Sequence, residues 1–232
     1  VKLQVIRPKR EPSLSFVARP GSSDSKSLAE VIDGRGYARK GFPDFGPWVD
    51  LGANVGAFTV LMASRGHHVD AYEADPDSYA LLCENVKRNG LQSRVRTFHC
   101  AVTSDHVREM TLYVNGARGN FWRNSVVKPW RGGTQRTVPA AHWSTLDMQR
   151  RFKIDIEGSE MPIIEDMIAS GAFPPALVFE WSFDIDRSIL RFQRAVAGLR
   201  KHYSNVVYPG FDETAIEWAT EWFPPCRTVW CY

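Results

Sequence analysis

Acidic residues that close short apolar runs carry the chemistry this sequence offers. Asp50 stands in Trp48-Val49-Asp50-Leu51, and Glu73 ends Val69-Asp70-Ala71-Tyr72-Glu73. Asp155 and Glu157 alternate through Phe152-Lys153-Ile154-Asp155-Ile156-Glu157, and Glu180 follows Ala176-Leu177-Val178-Phe179. Apolar runs of this length read as strands of an open α/β sheet, a fold that binds ligands beyond the carboxyl ends of its strands. A carboxylate at such an edge can receive ribose hydroxyls, accept a proton as a general base, or ligate a divalent cation.

The loop after the first run narrows the choice. Gly52-Ala53-Asn54-Val55-Gly56 leads into the helical-looking stretch Ala57 to Ser64. Glycine in such a loop permits positive φ and lets backbone N–H groups approach a ligand. A dinucleotide fingerprint reads G-x-G-x-x-G, and Asn54 occupies the place of its middle glycine, which argues against a pyrophosphate. Glu73 lies 21 residues beyond Gly52, the spacing of an acid that receives ribose hydroxyls. A ribose without a pyrophosphate suggests S-adenosylmethionine. Either motif alone also fits a structural βα turn with a surface glutamate.

The run from 152 to 157 is the second informative place. A period of two puts Phe152, Ile154 and Ile156 on one face and Lys153, Asp155 and Glu157 on the other. Three charges on one face of a central parallel strand are costly to bury, so the strand is expected to end in a site. Asp155 is the first candidate for a general base, followed by Glu157 and Glu180. Lys153 would orient Asp155 or lower its pKa, and His142 is a lesser alternative. A purely structural Lys153–Asp155 ion pair is the competing explanation. Several of these acids could instead ligate a divalent cation, which the sequence leaves open.

The surrounding elements must position these groups. Residues 1–27, with Arg7-Pro8-Lys9-Arg10 and Pro20-Gly21-Ser22-Ser23, read as an irregular arm, and residues 28–232 as one domain. A short helix is expected over Leu28 to Ile32. Arg35, Tyr37 and Arg39 then precede the first strand, within reach of a cofactor carboxylate or an acceptor, or as solvated loop charges. Asp75-Pro76 starts a helix that Gly90 closes, with Tyr79, Leu82, Cys83 and Val86 as its core stripe. Val95 to Val102 reads as the third strand and Met110 to Val114 as an added one. Ser159 is expected to cap a helix ending at Gly171, and Asp186 to cap another with Ile189, Phe192, Val196 and Leu199 inward. Val206-Val207-Tyr208 and Thr228 to Cys231 are expected to pair antiparallel at a sheet edge.

At 232 residues and a net charge of +3, the chain has room for one α/β domain and no overall polyanion-binding charge. The basic residues concentrate locally. Arg118, Arg123, Lys128, Arg131, Arg136, Arg150, Arg151 and Lys153 face only Asp147 as an acid, with Phe121, Trp122, Trp130 and Trp143 interleaved. Residues from about 115 to 143 therefore read as an acceptor-side insertion, or as an ordinary amphipathic surface. If the acceptor were RNA, this segment would be the phosphate footprint. The four cysteines lack disulfide-scaffold spacing and read as reduced thiols of a cytosolic protein. No apolar run is long enough to span a membrane. Oligomeric state is not legible.

Val49-Asp50-Leu51-Gly52-Ala53-Asn54-Val55-Gly56, Tyr72-Glu73-Ala74, Thr145-Leu146-Asp147 and Lys153-Ile154-Asp155-Ile156-Glu157-Gly158-Ser159-Glu160 together resemble the FkbM-type S-adenosylmethionine-dependent methyltransferases. The match runs from about residue 46 to 182, and its K-x-D-x-E-G-x-E run is the specific part. The resemblance implies a class I methyltransferase fold, a Rossmann-like three-layer sandwich. Its sheet would have seven mostly parallel strands and an antiparallel last strand. It implies methyl transfer to hydroxyls of sugars, glycans or natural products. It places the cofactor against Asp50, Gly52, Ala53, Asn54, Gly56, Glu73, Ala74 and Ala101, and catalysis on Asp155, Lys153, Glu157 and Glu180. The rivals are an RNA 2′-O-methyltransferase and a non-catalytic cofactor-binding domain. The interval between Asp147 and Lys153 is shorter than the family's usual connection, and the Trp-containing basic segment follows no family pattern.

Overall fold

Short apolar runs that alternate with amphipathic segments bury both when parallel strands are crossed by helices on the two faces of one sheet. The computed structural model of the protein, which describes residues 2–43, 45–115, 123–129, 131–182, 185–208 and 226–232, has this arrangement. Its main strands are β3 (Trp48–Leu51), β4 (Val69–Glu73), β5 (Val95–His99), β9 (Arg151–Ile154), β10 (Leu177–Ser182), β11 (Val206–Val207) and β12 (Cys226–Cys231). They form a seven-stranded sheet in the order β11-β12-β10-β9-β3-β4-β5. All are parallel except the last strand, β12, which runs antiparallel between β10 and β11.

The helices cover both faces. On one side α2 (Ala57–Ser64) and α3 (Pro76–Arg88) pack with Trp48, Val69, Ala71 and Trp230. On the other, α4 (Glu160–Ser170) and α5 (Ile189–Leu199) pack with Val49, Leu51, Phe152, Ile154 and Phe179. Alternation along β3 and β9 thus sends successive side chains to different cores, as the pleat requires. Strand ends on the central pair, β3 and β9, are where both sequence motifs begin.

A second, three-stranded sheet joins β6 (Ala101–Thr103), β8 (Thr134–His142) and β7 (Glu109–Val114) in that order. The expected single strand from Val95 to Val102 is therefore two strands in two sheets, separated at Cys100. Cys100 is half-buried and its thiol is pushed up to about 11 by burial. Cys83, Cys100 and Cys231 are free thiols.

The first 27 residues differ from the expectation of an irregular arm. Gln4–Ile6 (β1) pairs antiparallel with Phe16–Ala18 (β2), and Asp24–Leu28 forms a short helix, α1, continued by a π-type turn over Ala29–Asp33. Phe16 and Ala18 are fully buried. Polar and proline-rich flanks mask this three-residue apolar run in composition, but it docks against α3. There Asn85, fully buried, accepts from Val17 N at 2.6 Å and donates to Val17 O and Val55 O. Arg19 clamps Asp24 through Nε and Nη2 and donates to Ser78 Oγ.

Helix ends also depart in detail. Asp75 caps α3 as expected, accepting from Ser78 N, but the buried stripe is Ser78, Leu81, Leu82, Asn85 and Val86. Tyr79 and Cys83 turn to Thr97 instead. Ser188, not Asp186, caps α5, because Asp186 is drawn to Arg191 Nη1 at 2.9 Å.

Asn85 ties β2, α3 and the glycine loop together, so Asn85→Ala leaves buried backbone groups of Val17 and Val55 without partners. The expected loss is about 2–4 kcal/mol. Urea unfolding measures it, and a loss within 0.5 kcal/mol, the range of ordinary surface substitutions, would contradict this role.

Candidate functional site

The glycine loop leaves β3 at Gly52 and reaches α2 at Gly56. Its two glycines are needed for the chain's own packing. A Cβ on Gly52, at φ 76°, would stand 1.8 Å from the Asp155 carbonyl oxygen, and one on Gly56, at φ 90°, would stand 2.8 Å from Leu82. The close approach that glycine permits is thus of the β9 loop to the β3 loop. Asn54, also at positive φ, donates its backbone N–H to Glu73 Oε2 at 2.7 Å. Asp75 N donates to Glu73 Oε1 at 2.8 Å. Burial outweighs these bonds and pushes the Glu73 carboxyl up to about 7.

β3 and β9 pair so that Asp50 lies directly across from Lys153. Both are buried, and Lys153 Nζ stands 3.0 Å from Asp50 Oδ1. The ammonium also donates to Leu51 O at 3.2 Å and Gly52 O at 2.9 Å. Asp50 Oδ2 accepts from Thr59 Oγ1 at 2.6 Å. Burial alone would lower the Lys153 pKa, but the charges of Asp50, Asp155 and Glu180 reverse that and raise it. Lys153 is a fixed cation with its protons committed. Its distance to Asp155 Oδ2 is longer, 3.8 Å, so Asp50 and not Asp155 is its principal partner.

β9 stops at Ile154, three residues before the expected alternation ends. Asp155 N still donates to Leu51 O, and Glu157 takes positive φ in the following turn. Glu160, the first residue of α4, holds this turn. Its carboxylate accepts from Ile156 N, Gly158 N and Ser182 Oγ. Ser159 precedes the helix without the side-chain cap bond expected of it, and Glu160 instead ties the turn before the helix. Sequence reasoning quoted Glu160 only as part of a motif. An acid in the first turn of a helix after Gly-Ser was the available signal.

These loops surround a cavity of about 420 Å³. Gly52, Ala53, Asn54, Glu73, Ala74 and Ala101 line it, and so do Lys153, Asp155, Glu157 and Glu180, with Glu30 and Tyr37. Asp50 and Gly56 do not line the cavity: Asp50 is bound by Lys153 and Thr59, and Gly56 is the residue before α2. The insertion closes the cavity through Arg123, Asn124 and Val126, and Ser125 Oγ donates to Glu157 O at 2.6 Å.

The acids differ in state. Glu157 is held well above the ordinary carboxylate range by burial first and then by the charges of Asp155, Glu160 and Glu180, with Arg123 opposing. Its Oε2 is buried with no hydrogen-bond partner among the described residues. A protonated Glu157 donates where Asp155 accepts. Asp155 Oδ2 receives the Tyr37 hydroxyl at 2.7 Å.

Other expected contacts lie elsewhere. His142 stacks on His106, faces Ser104 O and Ser144, and does not line the cavity. Trp143 is a core residue whose Nε1 donates to Asp166 Oδ2. Arg136 pairs with Asp75 and Asp77, and Arg150 with Asp70 and Asp147. Arg35 is exposed, and Arg39 covers Trp230. Arg118, Phe121, Trp122 and Trp130 lie outside the described residues. Among the described residues no group of three or more His, Cys, Asp or Glu side chains is arranged around a metal position, and no helix is long and apolar enough to cross a membrane.

Because Glu160 titrates at about 7 rather than 4.5, the folded state binds its proton more tightly than the unfolded chain does. Stability from this group is fully present below about 4.5 and is lost as pH rises through about 7, on the order of 3 kcal/mol. Urea midpoints at pH 5 and pH 8 should differ less in Glu160→Gln than in the wild type, and equal differences would contradict the assignment.

Comparison with solved structures finds methyltransferases at low sequence identity. The tRNA (uracil-54, C5)-methyltransferase of Pyrococcus abyssi, in complex with S-adenosyl-L-homocysteine, aligns over 99% of this chain and 43% of its own, at 13% identity and TM-score 0.49. The precorrin-6y C5,15-methyltransferase of Geobacter metallireducens aligns over 93% of this chain and 91% of its own, at 12% identity and TM-score 0.46. This chain spans less than half the length of the first of these. No curated protein matches the sequence. The family profile described as "Methyltransferase FkbM domain" matches residues 50–199, a span that takes in the glycine loop, Glu73, the run from Lys153 to Glu160, and Glu180. The chain belongs to the FkbM methyltransferase domain family.

Proposed function

We propose that this protein is an S-adenosylmethionine-dependent O-methyltransferase whose acceptor is a hydroxyl of a sugar, glycan or small natural product. The observation that carries the reading is one cavity lined by Glu73, Asp155, Glu157 and Glu180 together with the glycine loop, a set that can offer a carboxylate to a ribose and another to an acceptor proton.

The cavity suits the cofactor. Glu73 is fixed by two backbone N–H groups and retains lone pairs for ribose hydroxyls. Asn54 Oδ1 is a buried acceptor without a partner among the described residues, available to a donor of the ligand. Ala74, Ala101, Val102 and Leu112 supply an apolar wall for a flat base. S-adenosylmethionine, when bound, supplies an electrophilic methyl carbon on a sulfonium.

An alcohol is a weak nucleophile until a base assists, and holding it near attack geometry lowers the barrier further. Asp155 takes the hydroxyl proton as the acceptor oxygen becomes an ether. Lys153, permanently charged, holds the β3 and β9 loops and favours the ionised form of Asp155. Protonated Glu157 donates to a second oxygen of the acceptor, and Glu180 receives one of its neighbouring hydroxyls. A polyhydroxylated acceptor matches this mixture of donors and acceptors.

The RNA reading is weaker. A phosphate footprint needs solvated cations, whereas Arg136 and Arg150 are paired with carboxylates and Lys153 is buried. Arg123 of this segment lines the cavity, and Arg136 serves the fold.

Incubation with methyl-labelled S-adenosylmethionine and a panel of glycans, small alcohols and short RNAs, read by mass spectrometry, tests the acceptor class. Transfer confined to RNA would reject the proposal. Glu73→Ala should weaken S-adenosylmethionine binding by about 1.5–3 kcal/mol in calorimetry, and an unchanged Kd would remove Glu73 from the ribose role. Asp155→Asn should lower turnover by roughly 10²- to 10⁴-fold with little change in cofactor Kd. Near wild-type turnover would pass the base role to Glu180.

A further inference from the structure

Tyr37 lies outside the stretch matched by the family profile, in the segment before β3. Its hydroxyl donates to Asp155 Oδ2 at 2.7 Å across 118 residues of sequence. Lys153 Nζ approaches the same oxygen at 3.8 Å. Both donors therefore converge on Oδ2, and Oδ1 has no partner among the described residues. The ring is held independently of the hydroxyl. It packs edge-on against Phe58 at 5.6 Å between centroids, the Lys153 ammonium stands 5.6 Å from its centroid, and Trp230 Nε1 donates to the Tyr37 carbonyl at 3.1 Å. Residues from α2, from β9 and from the last strand thus hold Tyr37 in place.

We propose that Tyr37 is a positioning residue that clamps Oδ2 of Asp155, so that Oδ1 is the oxygen that receives the acceptor proton. The inference rests on the reading of Asp155 as general base. A carboxylate free to rotate would present either oxygen and would lose a hydrogen bond to its charged form. One engaged by a phenol is fixed in both orientation and ionisation. Burial, and next the Asp155 charge, push the phenol above its ordinary value, so it remains a donor across the pH range of turnover. The other charged and titratable groups around Asp155 are Lys153 on its own strand, Glu30 in the turn after α1, Glu157 and Glu160 in the following turn and helix, and Glu180 on β10. Four of these are acids that oppose its ionisation when they are charged. Tyr37 and Lys153 are the groups that favour it.

The test is the carboxyl titration of Asp155 by ¹³C NMR on the aspartate-labelled full chain, with the resonance assigned through Asp155→Asn. Tyr37→Phe keeps the ring against Phe58 and removes only the hydroxyl. The Asp155 midpoint should rise by about one pH unit, since a donor to the charged form is lost. On the hydroxyl acceptor found in the panel, kcat should fall about tenfold, the acidic limb of the pH profile should move up with it, and cofactor Kd should stay the same. A reciprocal measurement does not depend on that variant folding: the Tyr37 phenol, followed by its ultraviolet titration, should ionise at lower pH in Asp155→Asn. An unchanged Asp155 midpoint in Tyr37→Phe, or an unchanged phenol in Asp155→Asn, overturns the clamp. Full turnover by Asp155→Asn overturns the base reading instead, and the two failures are distinguishable because the titrations need no acceptor.

Discussion

The buried pair between Asp50 and Lys153 is the constraint on which the rest of the site depends. Two charges on adjacent parallel strands leave water at a cost that their mutual attraction alone does not reliably offset. The remaining cost is met by satisfying every donor: the ammonium gives hydrogen bonds to Leu51 O and Gly52 O, and Thr59 gives one to Asp50. These bonds fix where β3 stops and where β9 stops. The glycine loop and the turn from Asp155 to Ser159 both start from that point. Gly52 follows from it as well, since the two loops approach so closely that a side chain there would overlap the Asp155 carbonyl.

From that anchor the fold distributes carboxylates into different protonation states. Glu73 and Glu160 are each pushed up to about 7 by burial, against backbone N–H groups that favour the charged form. Glu157 is also held well above the ordinary carboxylate range, by burial and by neighbouring acids. Asp155, at the end of its strand and one-quarter exposed, has a phenol and an ammonium to favour its charge. Carboxylates with opposed environments can serve as donor and acceptor in one small volume, the usual route by which a site runs both halves of a proton transfer.

The insertion completes the enclosure. Its strand β8 forms a separate sheet with β6 and β7, Ser125 bonds the Glu157 carbonyl, and Arg123, Asn124 and Val126 line the cavity. Trp143 lies fully buried beside α4, and Arg136 bridges to the start of α3. Of the cations and aromatics that the sequence concentrates here, Arg136, Trp143 and Arg150 are held in contacts with the rest of the fold.

Local pattern determined the first strands of the main sheet, the glycine turn, and the expectation that the run through Asp155 ends in a site, because each depends on neighbours within a few residues. The antiparallel last strand and the seven-stranded sheet came through resemblance to a family. What tertiary structure decided are relations across long separations. Strand register set Asp50 beside Lys153 and withdrew both Asp50 and Gly56 from the cavity wall. Docking of Phe16 and Val17 on α3 turned an arm of unpromising composition into part of the core. The path of the segment before β3 brought Tyr37 to Asp155, a meeting that no periodicity encodes, since a hydrogen bond spanning 118 residues is specified by how the strands and helices between them pack and not by either residue's neighbours.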